Sequence, residues 1–166
     1  MSPTPDFQPE EVIRLLGRYD VRYVLIGGLA AITHGSSSVT VDVDICHATD
    51  PPNLERLVSA LRKVHAYLGG VEPGLPFRID AKTLERGDSF TFTTDLGALD
   101  VLATPSGTHG FGDLARTADT LELFGHEVLV ASVDDLIRMK RAAGRPKDRV
   151  ELEILAALRD EIDGES

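Results

Sequence analysis

The sequence predicts an α/β protein: a small mixed β-sheet flanked by helices, with further helices at the C-terminal end. Three observations predict it. Short apolar runs bounded by glycines alternate with longer segments of helical periodicity, so strands and helices mix along the chain. Some neighbouring strands are separated by only a few turn residues and must form hairpins, which a wholly parallel sheet does not allow. The last part of the chain carries two helical patterns split at Gly144 and Pro146. We read residues 1–166 as one domain, with a core over about 20–131 and a C-terminal helical segment over about 132–163.

Taken in order, a first helix is expected from Pro9, where Glu10 and Glu11 favour its positive end and Gly17 or Asp20 stops it. RYVLIGG, 22–28, reads as a buried strand running into a glycine turn, and LAAITHG as a brief helix ended by Gly35. VTVDVDIC, 39–46, is the next strand. DPPNLERLVSALRKVHAYLGG, 50–70, reads as one helix capped by Asp50 and ended by two glycines. A loop follows over 69–78. SFTFTTDLGALDVLA gives two strands about a DLG turn, TPSGTHGFG a loop, and LELFGHEVLVA a hairpin with Gly125 and His126 at the turn. Ser132 and Asp135 have capping-box spacing at the start of the first C-terminal helix.

Composition narrows the function classes. With 42% hydrophobic and 27% charged residues the chain is ordinary for a globular protein. Its longest apolar stretch, YVLIGGLAAI, is too short to span a bilayer, and MSPTPDFQPEE lacks the pattern of a signal peptide. A single cysteine, Cys46, leaves no internal disulfide framework and fits a cytoplasmic location. A formal charge of −10 argues against general DNA binding and against anionic membranes.

The chemistry is concentrated in acids. In VTVDVDIC, Val39, Val41, Val43 and Ile45 alternate with Thr40, Asp42, Asp44 and Cys46, giving an apolar face and a face with two carboxylates about 7 Å apart. A bare D-x-D is also what a solvent-facing strand shows, but Asp100 adds a third acid inside the otherwise apolar ALDVLA. Such an acid must be exposed at a site, hydrogen-bonded or held by a cation. Three converging carboxylates suit hard divalent ions, Mg²⁺ foremost and Mn²⁺ besides, and a pair of ions can clamp a phosphoryl transfer.

Gly27 to Gly35 as GG-x-A-x-x-x-HG, then T-x-D-x-D at Thr40–Asp44 and the lone Asp100, together resemble the nucleotidyltransferase superfamily. SVDDLIRMKRAAGRPKDRVELEIL is similar to its small bacterial minimal and AbiE-type toxin branch. The resemblance spans roughly residues 20–158 and implies the nucleotidyltransferase fold. It implies that Asp42, Asp44 and Asp100 hold two Mg²⁺ ions and that Asp100 helps deprotonate an accepting hydroxyl. Gly27 and Gly28 would lie against the triphosphate of an NTP such as ATP, close to Ser38 and Thr40. The implied partners are an NTP, a tRNA or protein acceptor and a cognate antitoxin. One position departs from the pattern: where relatives often carry arginine in HG-x-x-R-x-T, this chain has Ser38, in a run of three serines that also suits a plain loop.

Six of the seventeen Lys and Arg residues, Arg138, Lys140, Arg141, Arg145, Lys147 and Arg149, form a local positive pole. A solvated helix end is the plain alternative, since basic residues favour the C-terminal end of a helix. The functional reading has Lys140, and also Lys147, reach the triphosphate, or the segment receive an RNA backbone. Asp148 would orient its neighbour Lys147 or a base, or serve as an ordinary early-turn acid. His34 is expected to bond the chain at its helix end, and the remaining histidines show no metal-ligand spacing. Two further readings stand beside nucleotidyl transfer to tRNA or protein: a small-molecule, aminoglycoside-type acceptor, and a non-catalytic nucleotide- or partner-binding module on the same fold.

Overall fold

The computed structural model of the protein describes residues 6–68 and 79–164. One seven-stranded sheet organises them. Its strands are β1 (Tyr23–Ile26), β2 (Asp42–His47), β3 (Tyr67–Leu68), β4 (Ser89–Thr94), β5 (Gly97–Leu102), β6 (Asp119–Leu123) and β7 (His126–Val130), ordered in space β3-β4-β5-β2-β1-β7-β6. β2 pairs parallel with β5 and β1 parallel with β7, while the other neighbours are antiparallel, so the sheet is mixed as expected. Around it lie α1 (Pro9–Arg18), α2 (Gly27–Thr33), α3 (Pro51–Lys63), α4 (Ala81–Arg86), α5 (Phe111–Thr117), α6 (Val133–Ala143), a 3-10 turn (Pro146–Asp148) and α7 (Arg149–Gly164).

The core sits on the central strands. All four residues of β1 are buried, so both of its faces are covered. α1 begins at Pro9 with Glu10 and Glu11 in its first turn, and buries Val12, Ile13, Leu15 and Leu16 as one stripe. Asp50 caps α3 by accepting from the Asn53 amide at 3.3 Å, and Asn53 in turn holds β1's entry through bonds to Arg22 and Ala48. Ser132 caps α6 through the Asp135 amide, and Gly144 ends that helix at φ +63.

Four expectations change. The carboxylate strand begins at Asp42, not Val39: Val39 is 91% and Val41 72% exposed, and the apolar face consists of Val43 and Ile45 alone. The reason is a lack of neighbours, since pairing to β1 stops at Asp44 and pairing to β5 at Asp42. The helix over 50–70 ends at Lys63; His65 adopts φ +53, and Tyr67–Leu68 then joins β4 as an edge strand. The second hairpin turns on Phe124 and Gly125, at φ +52 and +83, rather than on Gly125 and His126. The segment 104–112 is not wholly loop, because α5 starts at Phe111; α4 forms in a stretch for which the sequence predicts no element. The loop expected over 69–78 lies outside the described residues. Among those described, no helix is long and apolar enough to cross a membrane.

Candidate active site

Parallel pairing of β2 and β5 sets Asp44 directly beside Asp100, with Asp42 opposite Ala98. The pleat does the rest. Val43, Ile45, Leu99 and Val101 are buried on the other face, which leaves the three acids together on this one. Each offers a carboxylate oxygen within 4.8 Å of those of the other two. One oxygen of Asp44 and one of Asp100 are buried with no hydrogen-bond partner in the protein.

That arrangement resists ionisation. Burial, a proton shared with Asp100, and the charges of Asp42 and Asp100 push the Asp44 carboxyl up to about 8, against the pull of Lys140. Asp42 is raised as well, by burial first and by Asp100 next. Orphaned oxygens and acids that cannot all be charged are what a divalent cation relieves, and an all-oxygen donor set suits a hard one. Asp42, Asp44 and Asp100 therefore fit a metal site.

The wall beside the triad is built by β1 running straight into α2. Gly27 takes φ +70 there, and a Cβ on it would lie 2.1 Å from Asp44 Oδ2. At Gly28 a Cβ would meet the Thr40 side chain at 3.0 Å. The two glycines thus make room for a carboxylate and a hydroxyl that face them. Thr40 uses that hydroxyl to donate to Asp42, at 3.1 Å to its carbonyl and 3.3 Å to its carboxylate, fixing the chain as it enters β2.

The facing wall comes from α6, the 3-10 turn and α7. Asp148, with a side chain only 3% exposed, accepts from Lys140 Nζ at 3.0 Å and from Arg145 Nε at 2.8 Å. Burial alone would raise its carboxyl, but those two cations hold it below the usual range. On α7, Glu151 accepts from Ser38 Oγ at 2.6 Å, and Ser38 Oγ also lies 3.0 Å from Ser36 Oγ. This contact, 113 residues apart in sequence, ties the serine loop to the C-terminal helix.

Between the walls is a cleft of about 750 Å³. Gly27, Gly28 and Thr40 line it with the three aspartates, and so do Lys140 and Lys147 across from them. Ser38 stands one step behind, bonded to Glu151, which does line the cleft. Glu151 carries no signal in the sequence, and Val39, expected on the apolar face of the strand, stands instead at the cleft. A helical glutamate and a valine in a strand-like run carry no signal until the fold sets them at the rim.

Half of the positive pole is engaged in ion pairs within the protein. Arg138 pairs with Asp113 and Asp135, both at 3.1 Å, and Lys140 and Arg145 pair with Asp148, while Arg141, Lys147 and Arg149 are exposed. His34 bonds the Ala131 carbonyl at 2.8 Å, as expected of a helix-end histidine. Cys46 is fully buried among apolar residues, and burial pushes its thiol up to about 12, so it serves packing.

No protein-family model and no curated protein matches the sequence. Solved structures do. The lincosamide antibiotic adenylyltransferase LnuA, lincomycin-bound, superposes with TM-score 0.62 at 13% identity over 93% of this chain and 99% of that one. The antibiotic-resistance factor ANT(2'')-Ia gives 0.55 at 12% identity over 95% and 90%. TM1012 of Thermotoga maritima, proposed to be a nucleotidyltransferase, gives 0.53 at 16% identity over 96% and 97%. At such identities the likeness shows the fold: this chain has the nucleotidyltransferase fold.

Proposed function

We propose that the protein is a metal-dependent nucleotidyltransferase, moving a nucleoside monophosphate from an NTP to a hydroxyl acceptor. The observation that carries this reading is the convergence of Asp42, Asp44 and Asp100, two of them with an orphaned oxygen, at the floor of a large cleft. The three carboxylates would hold two Mg²⁺ ions, which supply charge neutralisation of the triphosphate and of the pentavalent transition state. The acceptor oxygen attacks the α-phosphorus in line, the bond to the bridging oxygen breaks, and pyrophosphate leaves. Asp100 takes the hydroxyl proton. Lys140, and Lys147 beyond it, face the leaving pyrophosphate, while Gly27 and Gly28 keep the opposite wall free of side chains. Rate enhancement then comes chiefly from positioning and fixed charge.

For the acceptor, the geometry favours a small molecule over tRNA or protein. An RNA backbone would have to engage a segment in which Arg138, Lys140 and Arg145 already serve buried or half-buried aspartates. Two fold neighbours, LnuA and ANT(2'')-Ia, are named for antibiotics, which lends the same reading support by analogy. The toxin reading, with a cognate antitoxin, rests on the sequence resemblance alone.

The test offers each of the four α-labelled NTPs with Mg²⁺ to total RNA, to the protein itself and to hydroxyl-bearing aminoglycosides and lincosamides. Label in a small molecule, lost with Asp44→Asn, supports the proposal in full. Label in RNA or protein, lost with the same variant, keeps the chemistry and restores the toxin reading. Label unaffected by Asp44→Asn overturns the mechanism.

A further inference from the structure

Asp148 is an acid in the wrong place for a triphosphate site. It lines the same cleft as the triad, and its negative charge opposes an incoming polyanion. Yet its side chain is 3% exposed and carries two cations, Lys140 at 3.0 Å and Arg145 at 2.8 Å. The local chain is shaped to achieve this. α6 carries Lys140 in its last turn and stops at Gly144 in the left-handed region; Arg145 is extended, and the Pro146–Asp148 turn brings the acid back under the lysine. Lys140 keeps a side chain 26% exposed and lines the cleft together with Asp42 and Asp44. Asp148 thus holds its ammonium on the wall that faces the metal site.

We infer that Asp148 is a positioning residue for nucleotide binding: it anchors Lys140 so that the ammonium is already aimed at the β- and γ-phosphates when the NTP arrives. This inference rests on the nucleotidyl-transfer reading. An unanchored lysine samples many rotamers, and fixing it upon binding would weaken affinity; anchoring it beforehand removes that loss. Arg145, half exposed on the far side of the carboxylate, shares the charge and lets Asp148 stay ionised while buried.

The sign of one effect separates this role from plain electrostatics. If Asp148 acted only as a charge, Asp148→Asn would tighten NTP binding by removing a repulsive anion. As an anchor, its loss weakens binding. The experiment measures the dissociation constants of the four NTPs, with Mg²⁺, for wild type, Asp148→Asn, Lys140→Met and the double variant, and repeats them with the monophosphate of the tightest binder. Thermal melts accompany each. Asp148→Asn is expected to weaken NTP binding about three- to tenfold, a share of the freedom of an untethered lysine. It should leave monophosphate binding unchanged and have no further effect once Lys140 is methionine. Tighter or unchanged NTP binding overturns the inference, as does a loss that persists in the Lys140→Met background or extends to the monophosphate, which would mark a general folding role. Wild type that binds no NTP overturns the nucleotidyl-transfer reading itself, and the inference with it.

Discussion

Gly27 and Asp44 face each other so closely that the first must lack a side chain for the second to exist where it does: a Cβ at residue 27 would lie 2.1 Å from Asp44 Oδ2. Backbone φ at Gly27 is +70, unfavourable to any other residue at the start of a helix. The glycine is thus as much part of the acid site as the acids.

Gly27→Ala should therefore act on metal binding more than on the fold. The added methyl displaces Asp44, and the positive φ costs about 1 kcal/mol in addition. We expect divalent-ion affinity to fall by at least about tenfold, in the range seen when the surroundings of metal ligands are altered. Isothermal titration of Mn²⁺ into both proteins, beside their thermal melts, checks it.

The raised Asp44 carboxyl fixes the direction of pH dependence. Between about 4, where an unfolded aspartate ionises, and about 8, where Asp44 ionises in the fold, the folded metal-free protein binds a proton that the unfolded chain has released. Stability of the metal-free protein therefore falls as pH rises through that window. Mg²⁺ needs the ionised form, so its affinity and its stabilising effect rise across the same window. Melting temperatures from pH 5 to 8.5, with chelator and with Mg²⁺, should diverge towards high pH. In Asp44→Asn the metal-free slope should flatten.

Exposure predicts a sharp contrast within one run of valines. Val43 is fully buried and Val39 is 91% exposed, although both belong to the same alternating pattern. Val43→Ala should destabilise by about 2 kcal/mol, whereas Val39→Ala should stay within about 0.5 kcal/mol. Urea denaturation of the two variants measures both.

Glu151 puts a further negative charge at the cleft while serving as acceptor for Ser38. Glu151→Gln keeps an acceptor oxygen for Ser38 and removes the charge. NTP affinity should then improve about two- to fivefold, corresponding to roughly 0.5–1 kcal/mol for a partly solvated charge interaction. Ser38→Ala frees the Glu151 carboxylate and should not improve it. Fluorescence titration with each NTP distinguishes the two.

Much of this site was legible in the residues. Period-two alternation put Asp42 and Asp44 on one face, and an acid among apolar neighbours singled out Asp100, because both follow from local geometry and the energetics of burial. Strand ends were not legible. Whether Val39 pairs depends on where β1 and β5 stop, which is a property of other segments. The Tyr67–Leu68 edge strand was hidden for a related reason: helical periodicity runs on past Lys63, and only the left-handed turn at His65 and the presence of β4 end it. Asp148 and Glu151 needed the fold as well. One was visible as an ordinary early-turn acid, the other as a helix-surface glutamate, and their meaning comes from Lys140 on the same wall and from Ser38 in the distant serine loop.

The claim on which everything turns is that Asp42, Asp44 and Asp100 bind divalent metal together with an NTP. Electron paramagnetic resonance of Mn²⁺ reads this directly, through loss of the free-ion signal on adding protein in the presence of each NTP. Wild type should quench the signal beyond what nucleotide alone does, and Asp44→Asn should not. Equal quenching by the two proteins, or none by wild type with any NTP, would contradict the account.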